Sequence, residues 1–519
     1  MEATIRIERY ADQGRCVGHI DGRVVFVRFA LPGELVRVEL DEPHDREERF
    51  WTGEVVEVLE ASEDRAEPIW PLAGPLAMGG GVGGADLVHV SLAGQLKWKT
   101  CSIVEQMLRL GHTAVEVPID RMPQDEAERG LHWRTRIEMI ADADGRPSMR
   151  RRGTHVRVPI DTMPLASRAL LDVAEREHVW DGGFTPGSQI RLSVPEPRDG
   201  AAVEENYAVL VDGEVTAGTR ALTEKVTVAG RDFEYGVDAG GFWQMHRQAP
   251  IALTNHVIDL VRRELNGAQS ACVWDLYSGS GLFTLPLASL AAERTRMLSV
   301  EGGKTAVRNA QRNLRHVHLD NVDVRAGDVA KTLGNVRNDL ARPDVVVLDP
   351  PRAGARAKVC GQIADSEARS VIYIACNPAS LARDTATLAG LGYELADIHA
   401  FDIYPTTHHV ETVCLLSHQK VQHVYVPFEP KARNMRGLER TTYKEIREWI
   451  EREKGLKVSQ LYIAQVKAEY GLIERENYNK SKKGDEQKVP TCPPEKHDAI
   501  VEAFRHFKMI DDAADMPKA

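Results

Sequence analysis

Between residues 236 and 418 short β-branched runs alternate with longer helical ones, and nothing else restricts the possible folds of this chain so tightly. Such alternation predicts a doubly wound α/β domain whose ligands bind at the carboxyl ends of its strands. The domain opens with Val273-Trp274-Asp275-Leu276-Tyr277-Ser278-Gly279-Ser280-Gly281-Leu282-Phe283-Thr284, followed by an apolar helix from Leu285 to Ala291. Gly279 and Gly281 let backbone approach a ligand closely, and the helix behind them offers free N–H groups. A dinucleotide site would want a third glycine where Thr284 stands. About twenty residues on, the run Met297–Val300 ends in Glu301, a carboxylate able to accept from both hydroxyls of a ribose. Together these features favour S-adenosylmethionine over a nicotinamide dinucleotide.

Three further strand ends converge on the same edge. Val324–Ala326 leads to Asp328, a candidate for adenine contact. Val345–Leu348 leads to Asp349-Pro350-Pro351-Arg352, where consecutive prolines make a rigid extended shelf. Val371–Ile374 is stopped by Ala375-Cys376-Asn377-Pro378, and a helical run begins near Ser380. Cys376 then sits between a strand and a helix N-terminus, which predicts thiolate character; an isolated buried cysteine is otherwise an ordinary apolar residue. The last strand begins at Glu411, after Tyr404-Pro405-Thr406-Thr407-His408-His409. Adjacent histidines generally face apart and no third ligand is evident, so a metal is not expected there.

The rest of the chain surrounds this domain. Residues 1–60 read as a small β-barrel with strands at Ile5–Ile7, Val24–Val27, Leu35–Leu40 and Gly53–Val58. Residues 61–90 are rich in Pro and Gly, and their GGGVGG run has neither a preceding strand nor a following Lys-Ser/Thr, which favours a linker over a phosphate cradle. The segment 91–110 has helical periodicity, with Leu92, Leu96, Ile103, Met107 and Leu110 near one face. Short strands at Thr135–Ala141, Gln189–Val194, Tyr207–Val211 and Val226–Val228 suggest a β-rich module. Its Arg146, Arg150, Arg151, Arg152 and Arg157 suit a phosphate backbone and a solvated surface loop equally. Over 420–519 there are 20 Lys or Arg against 17 Asp or Glu, so the tail is mildly basic on a protein of net charge −11. Helices are expected there over Ile446–Glu453 and from Val458 to Val466, with Gly455 between them.

At this point two resemblances become specific. GRCVGHIDGRVVFVRFALPGELVRV closely resembles the TRAM domain, an RNA-binding barrel. DLYSGSG, LDPPR, the CNP of IACNP and YPTTHHVETV look like the RNA 5-methyluridine methyltransferase family, in order over roughly 1–418. That resemblance implies a Rossmann-like class I methyltransferase domain with an OB-like TRAM barrel, a β-rich central module and a small helical extension. The implied boundaries are 1–60 for the barrel, 61–90 with 130–235 for the central module, 91–129 with 236–418 for the methyltransferase, and 430–519 for the extension. It further implies methylation of uridine C5 in structured RNA, with Cys376 as nucleophile and Glu411 as general base. Gln244, Tyr277, Glu301 and Asp349 match positions where the family holds S-adenosylmethionine.

The chemistry suits those residues independently. Uracil C5 takes a methyl group only after a thiolate has added to C6, and a base must then remove the C5 proton. The TRAM-like barrel is commoner in ribosomal-RNA members than in transfer-RNA members, so 23S ribosomal RNA is the expected partner and transfer RNA the alternative. Many members carry a [4Fe–4S] cluster on four cysteines. Here the corresponding places hold Trp70, Val82, Ala85 and Met163, none able to replace a thiolate, so no cluster is expected. Leu282 stands where some members have Asn, which loosens that cofactor contact.

Two other functions were weighed. Enzymes forming 5-methylcytidine place their nucleophile in a Pro-Cys beside the fourth motif, which here is DPPR without Cys. A ribosome-assembly factor with a vestigial methyltransferase domain would have no need to keep Cys376, Asn377, Pro378, Asp349 and Glu411. Scattered cysteines, no run of 18 apolar residues and no signal-peptide core predict a cytoplasmic monomer that does not bind membranes.

Overall fold

The computed structural model describes residues 1–41, 49–198, 201–418, 443–456, 458, 462–463, 466 and 493–507. Residues 1–422 form one compact unit and residues 423–519 another.

The chain begins with β1 (Glu2–Ala11), β2 (Arg15–Ile20), β3 (Arg23–Arg28), β4 (Leu35–Leu40) and β5 (Phe50–Glu60), closed as a barrel in the order β1-β2-β3-β5-β4. Alternation drives closure: Val25, Val27, Val36, Val38 and Leu40 point inward, and a closed sheet leaves no strand edge exposed. Glu34 of the Leu31-Pro32-Gly33-Glu34 turn is fully buried; it accepts the Leu31 amide at 2.8 Å and the Arg65 Nε at 2.5 Å. This buried ion pair ties the barrel to the Pro- and Gly-rich segment after it.

That segment is not a solvated linker. Trp70, Ala73, Val82, Leu87, Val88 and Val90 are buried in the same apolar cluster as the barrel interior. Its carbonyls are met by Arg152, which donates to Ala73, Val82 and Gly74 and lies 4.5 Å from the Phe29 ring centroid. Arg152 is therefore committed to the protein, while Arg146 and Arg150 stay exposed.

Helix α1 (Leu92–Arg109) starts at Ser91, whose side chain accepts the Gly94 amide at 3.1 Å. Ile103 and Met107 are buried as the periodicity requires, but Leu92, Leu96 and Leu110 are only half-buried. Trp98 and Lys99, unremarkable in the pattern, are buried instead. After β6 (Ile119–Arg121) come β7 (Arg136–Ala141), β8 (Pro147–Arg150), β9 (Arg157–Pro159), α2 (Arg168–Arg176), β10 (Gln189–Ser193), β11 (Ala208–Val211) and β12 (Glu214–Gly218). The β strands of this module form one antiparallel sheet in the order β12-β11-β10-β7-β8-β9.

The hairpin β13 (Ala221–Val228) and β14 (Arg231–Asp238) lies mostly before the expected boundary at residue 236, yet its Leu222, Val226, Phe233 and Tyr235 pack with the methyltransferase core. Tyr235 donates from its hydroxyl to the Leu282 carbonyl at 2.9 Å and so braces the Gly turn.

The remaining elements are α3 (Ala249–Leu265), β15 (Ser270–Leu276), α4 (Thr284–Leu290), β16 (Arg294–Glu301), α5 (Lys304–His316), β17 (Val322–Ala326), α6 (Val329–Thr332), β18 (Val345–Leu348), α7 (Arg356–Asp365), β19 (Ser370–Ala375), α8 (Pro378–Gly390), β20 (Tyr393–Asp402) and β21 (Glu411–His418). They build an eight-stranded sheet in the order β17-β16-β15-β18-β19-β21-β20-β6. Neighbours from β17 to β19 are parallel, and β21 runs antiparallel to both β19 and β20. Strands β18 and β19 are buried throughout, as expected of a sheet covered on both faces. The strand order reverses between β16 and β18 on either side of β15, which opens a crevice at its carboxyl end.

In the second unit, α9 (Tyr443–Lys454) ends before Gly455, whose φ of +67° only glycine adopts cheaply. A further helix, α10 (Pro494–His506), was not anticipated; Ile446, Ile450, Ile463, Ile500 and Phe504 form this unit's core. Most of the helix expected over 458–466 lies outside the described residues, as does Cys492. No helix among the described residues is long and apolar enough to cross a membrane.

Candidate active site

A cavity of about 740 Å³ opens at the carboxyl edge of the parallel strands. Gln244, Tyr277, Gly279, Glu301, Asp328, Asp349, Cys376 and Glu411 all line it. Gly281 does not; it shapes the turn instead. Its amide donates to the Ser278 carbonyl at 2.9 Å, its φ is +92°, and an added Cβ would press on Leu285 at 3.2 Å.

One half of the cavity is built for a polar, close-fitting ligand. Glu301 accepts the Gly279 amide at 3.0 Å and the Gly303 amide at 2.5 Å, so its carboxylate is held at the rim. Asp328 uses one oxygen to cap α6 through the Lys331 amide at 3.0 Å, leaving the other for a ligand. A Cβ at Gly279 would meet nothing within 4 Å, so the turn leaves open space in front of its backbone. Tyr277 adopts φ +62°, a left-handed conformation unusual for an aromatic residue and a mark of functional strain. Behind the turn, Asp275 is buried and accepts the Thr284 hydroxyl at 2.5 Å. Burial first, then the nearby Asp349 and Glu301 charges, outweigh that bond and push its carboxyl up to about 7.

The other half carries Cys376, Glu411 and Asp349. β19 places Cys376 just past its last residue, and Asn377 caps α8 by accepting the Ala379 amide at 3.1 Å. Register then brings Glu411 alongside: Ala375 pairs with Thr412 across the antiparallel β19–β21 ladder, so Cys376 and Glu411 lie at adjoining positions. Glu411 is buried with its Oε1 lacking any partner among the described residues. Burial and the Asp349 charge raise the Glu411 carboxyl well above the usual range; burial raises Asp349 to about 7.

The expected thiolate character of Cys376 is not what the free site provides. Burial, with the Glu411 and Asp349 charges, pushes its thiol up to about 12, against the opposing effect of Arg352. A helix terminus lowers a thiol only where desolvation and carboxylates do not outweigh it.

His408 and His409 do not face apart: their ring centroids are 4.0 Å apart. His408 Nδ1 lies 2.5 Å from Oδ2 of the half-buried Asp86, and this bond overcomes desolvation to hold Asp86 at about 2. Burial lowers His409 to about 4, so a neutral ring faces the cavity. No group of three or more His, Cys, Asp or Glu among the described residues is arranged to hold a metal. The four places that hold cluster cysteines in other chains do not fit such a group: Trp70, Val82, Ala85 and Met163 are all buried in one apolar cluster.

Several lining residues carried no assignment in the sequence. Phe242, Trp243 and Met245 flank Gln244, and Tyr404, Arg352 and His409 surround the thiol side. Arg352 and His409 stood inside quoted motifs, so their proximity to Asp349 and Glu411 was the available signal. Phe242 is 68% exposed, which apolar patterning alone does not explain.

Known proteins resemble this chain in sequence and in fold. Residues 212–419 match the tRNA (uracil-5-)-methyltransferase family and residues 2–58 match the TRAM domain. An RNA methyltransferase of Bifidobacterium longum is 74% identical over 421 residues, covering 80% of this chain and 97% of that protein. The 23S rRNA (uracil(1939)-C(5))-methyltransferase RlmD of Halomonas elongata is 31% identical, covering 79% and 89% respectively. The chain belongs to the RNA uracil-C5 methyltransferase family. Its fold is also that of the Pyrococcus abyssi tRNA (uracil-54, C5)-methyltransferase crystallised with S-adenosyl-L-homocysteine, with TM-score 0.56, 20% identity, and coverage of 80% of this chain and 100% of that one. Within this uracil-C5 methyltransferase, the reversed strand β21 is what brings a carboxylate to the cysteine's edge of the sheet.

Proposed function

We propose that the enzyme methylates C5 of a uridine in 23S ribosomal RNA, using S-adenosylmethionine, through a covalent bond from Cys376 to C6. The observation that carries this reading is the single cavity lined by Cys376, Glu411 and Asp349 on one side and by Tyr277, Glu301 and Asp328 on the other. The RlmD proteins of Halomonas elongata and Chromohalobacter salexigens, at 31% and 30% identity, support 23S ribosomal RNA as the substrate.

The residues present fit S-adenosylmethionine: Glu301 would take the ribose hydroxyls, Asp328 the adenine, and Gln244, Tyr277 and Asp349 the remainder beside the open Gly279 turn. Bound there, it would supply an electrophilic methyl group. Cys376 must first lose its proton, and the half-buried Asp349 carboxylate is the acceptor at hand, which leaves Glu411 ionised for the later step. The thiolate then adds to C6, which loads C5 with electron density. After methylation Glu411, as carboxylate, takes the C5 proton, the C5–C6 double bond re-forms and the thiolate leaves. Glu411 has a free buried oxygen for that proton, and its high proton affinity strengthens it as a base.

The test is mass-spectrometric nucleoside mapping of ribosomal and transfer RNA from cells lacking the protein, complemented with wild type or Cys376→Ala. Loss of one 5-methyluridine from 23S ribosomal RNA, restored by wild type alone, is expected. Loss from transfer RNA instead would move the substrate; no loss in either would defeat the reading.

A further inference from the structure

From Asp349 to the start of α7 the chain passes along the cavity in an unusual conformation. Gly354 has φ +81° and Arg356 has φ +68°, two left-handed residues in three. For an arginine this conformation is strained. A single carboxylate oxygen offsets it. Asp384 on α8, only 6% exposed, accepts at Oδ2 the Ala355 amide at 2.7 Å, the Arg356 amide at 3.2 Å and the Tyr373 hydroxyl at 2.6 Å. The Tyr373 hydroxyl in turn accepts the Ala355 amide at 3.1 Å. A Cβ at Gly354 would stand 2.5 Å from the same Asp384 oxygen.

The loop is fixed elsewhere too. The Asp349 amide donates to the Leu276 carbonyl at 3.2 Å, and Asn377 Nδ2 donates to the Arg352 carbonyl at 2.9 Å. Tyr373, Asn377 and Asp384 all belong to the β19–α8 unit that carries Cys376. The loop bearing Arg352 is thus registered against the strand and helix that flank the thiol. Arg352 is exposed and lines the cavity with Cys376, its guanidinium 3.5 Å from His409 Nδ1, and its charge favours ionisation of Cys376 against the Glu411 and Asp349 carboxylates.

We propose that Asp384 is a positioning residue, whose hold on the Ala355 and Arg356 amides sets the Arg352 guanidinium beside Cys376. It touches neither substrate nor cavity; it acts through the loop. The inference rests on the proposed function only in treating Cys376 as the nucleophile. A carboxylate that merely capped α7 would affect stability and nothing at the thiol.

The test reads the thiol directly and needs no RNA. The full chain is treated with iodoacetamide between pH 7 and 10, and alkylation at Cys376 is followed by peptide mass spectrometry. Arg352→Gln is expected to slow alkylation about fivefold, the effect of removing one nearby charge worth about 1 kcal/mol. Asp384→Ala should slow it by a similar factor, and the double variant no further than Arg352→Gln alone. Tyr373→Phe, which leaves both amide bonds in place, should keep most of the wild-type rate. If Asp384→Ala does not fold, Gly354→Ala, which drives a methyl group into the same carboxylate, takes its place with the same expectation. Wild-type alkylation in a folded Asp384→Ala or Gly354→Ala variant, or multiplicative effects in the double, would overturn the proposal. A wild-type protein that keeps this alkylation pattern yet forms no adduct with 5-fluorouridine RNA would count against the functional reading instead.

Discussion

Lys99 of α1 donates its ammonium hydrogen to the carboxylate of Asp402 at the end of β20, and both side chains are wholly buried. The same ammonium reaches the Tyr404 carbonyl at 2.9 Å, while Arg121 of β6 meets Asp402 at 3.2 Å. Burial lowers the Lys99 ammonium, and against the same burial Lys99 and Arg121 keep Asp402 ionised. This triad clamps the start of the 403–410 loop, whose far end presents Glu411. Removing Lys99 would leave the wholly buried Asp402 carboxylate with Arg121 as its remaining cation. Lys99→Met should therefore destabilise the protein by about 3 kcal/mol in denaturant unfolding. Lys99→Met with Asp402→Asn should recover much of that loss.

Glu411 has one task in the proposed scheme, removal of the C5 proton after methylation. Glu411→Gln should still form the Cys376 bond to C6 and then stall. With unmodified substrate RNA, a shifted band should accumulate on a denaturing gel, and turnover should fall about 10²–10⁴-fold. Cys376→Ala should give no band with either plain or 5-fluorouridine RNA. A Glu411→Gln variant that turns over normally would assign the base elsewhere.

Asp275 bears on pH and stability. Its folded-state carboxyl is raised from the ordinary 3.8 to about 7, chiefly by burial. A raised acid contributes stability that is full below its ordinary value and is lost as pH climbs through the raised one. Stability should therefore decline between about pH 4 and pH 7 on account of this group. Asp275→Asn can keep the Thr284 hydroxyl bond without the charge, so it should gain about 1–2 kcal/mol over wild type at pH 8 and little at pH 4. Melting temperatures at the two pH values test this.

The apolar set Trp70, Val82, Ala85 and Met163 leads to a prediction about metal. Protein purified without oxygen and incubated with iron and sulfide should take up no stoichiometric iron and show no broad visible absorbance. A chelator should leave its melting temperature unchanged. Introducing four cysteines at these buried sites should destabilise the barrel-side core, because each replaces a packed side chain or forces one into a smaller space.

Much of this was legible in the sequence because the chemistry depends on local order. Gly279, Glu301, Asp328, Asp349 and Cys376 each follow a short strand-like run, and parallel strands bring such ends to one edge. What stayed hidden depends on long-range pairing. Lys99 lies on the apolar face of its helix, between Leu96 and Ile103, but nothing local shows what balances its charge there; that is Asp402, far along the chain. The 61–90 segment reads as a linker because Pro and Gly carry no period, yet Trp70, Val82 and Leu87 supply core. The hairpin at 221–238 reads as part of the preceding strands; its place beside α3 follows from which face Phe233 and Tyr235 cover. The resting state of the Cys376 thiol is hidden from the sequence for a related reason. A helix start is visible in one dimension, whereas the crowding of Glu411 and Asp349 around it is not.

Because β21 runs against β19, Cys376 and Glu411 are anchored to one shared ladder of amide hydrogen bonds rather than to separate loops. Their mutual placement depends on Ala375 facing Thr412, not on the number of residues that connect them. Lineages and engineers are thus free to lengthen the exposed turn at 390–392, while Asp384 and Asp402 must stay. A single inserted residue within either rung would carry one partner to the opposite side of the sheet and silence the pair.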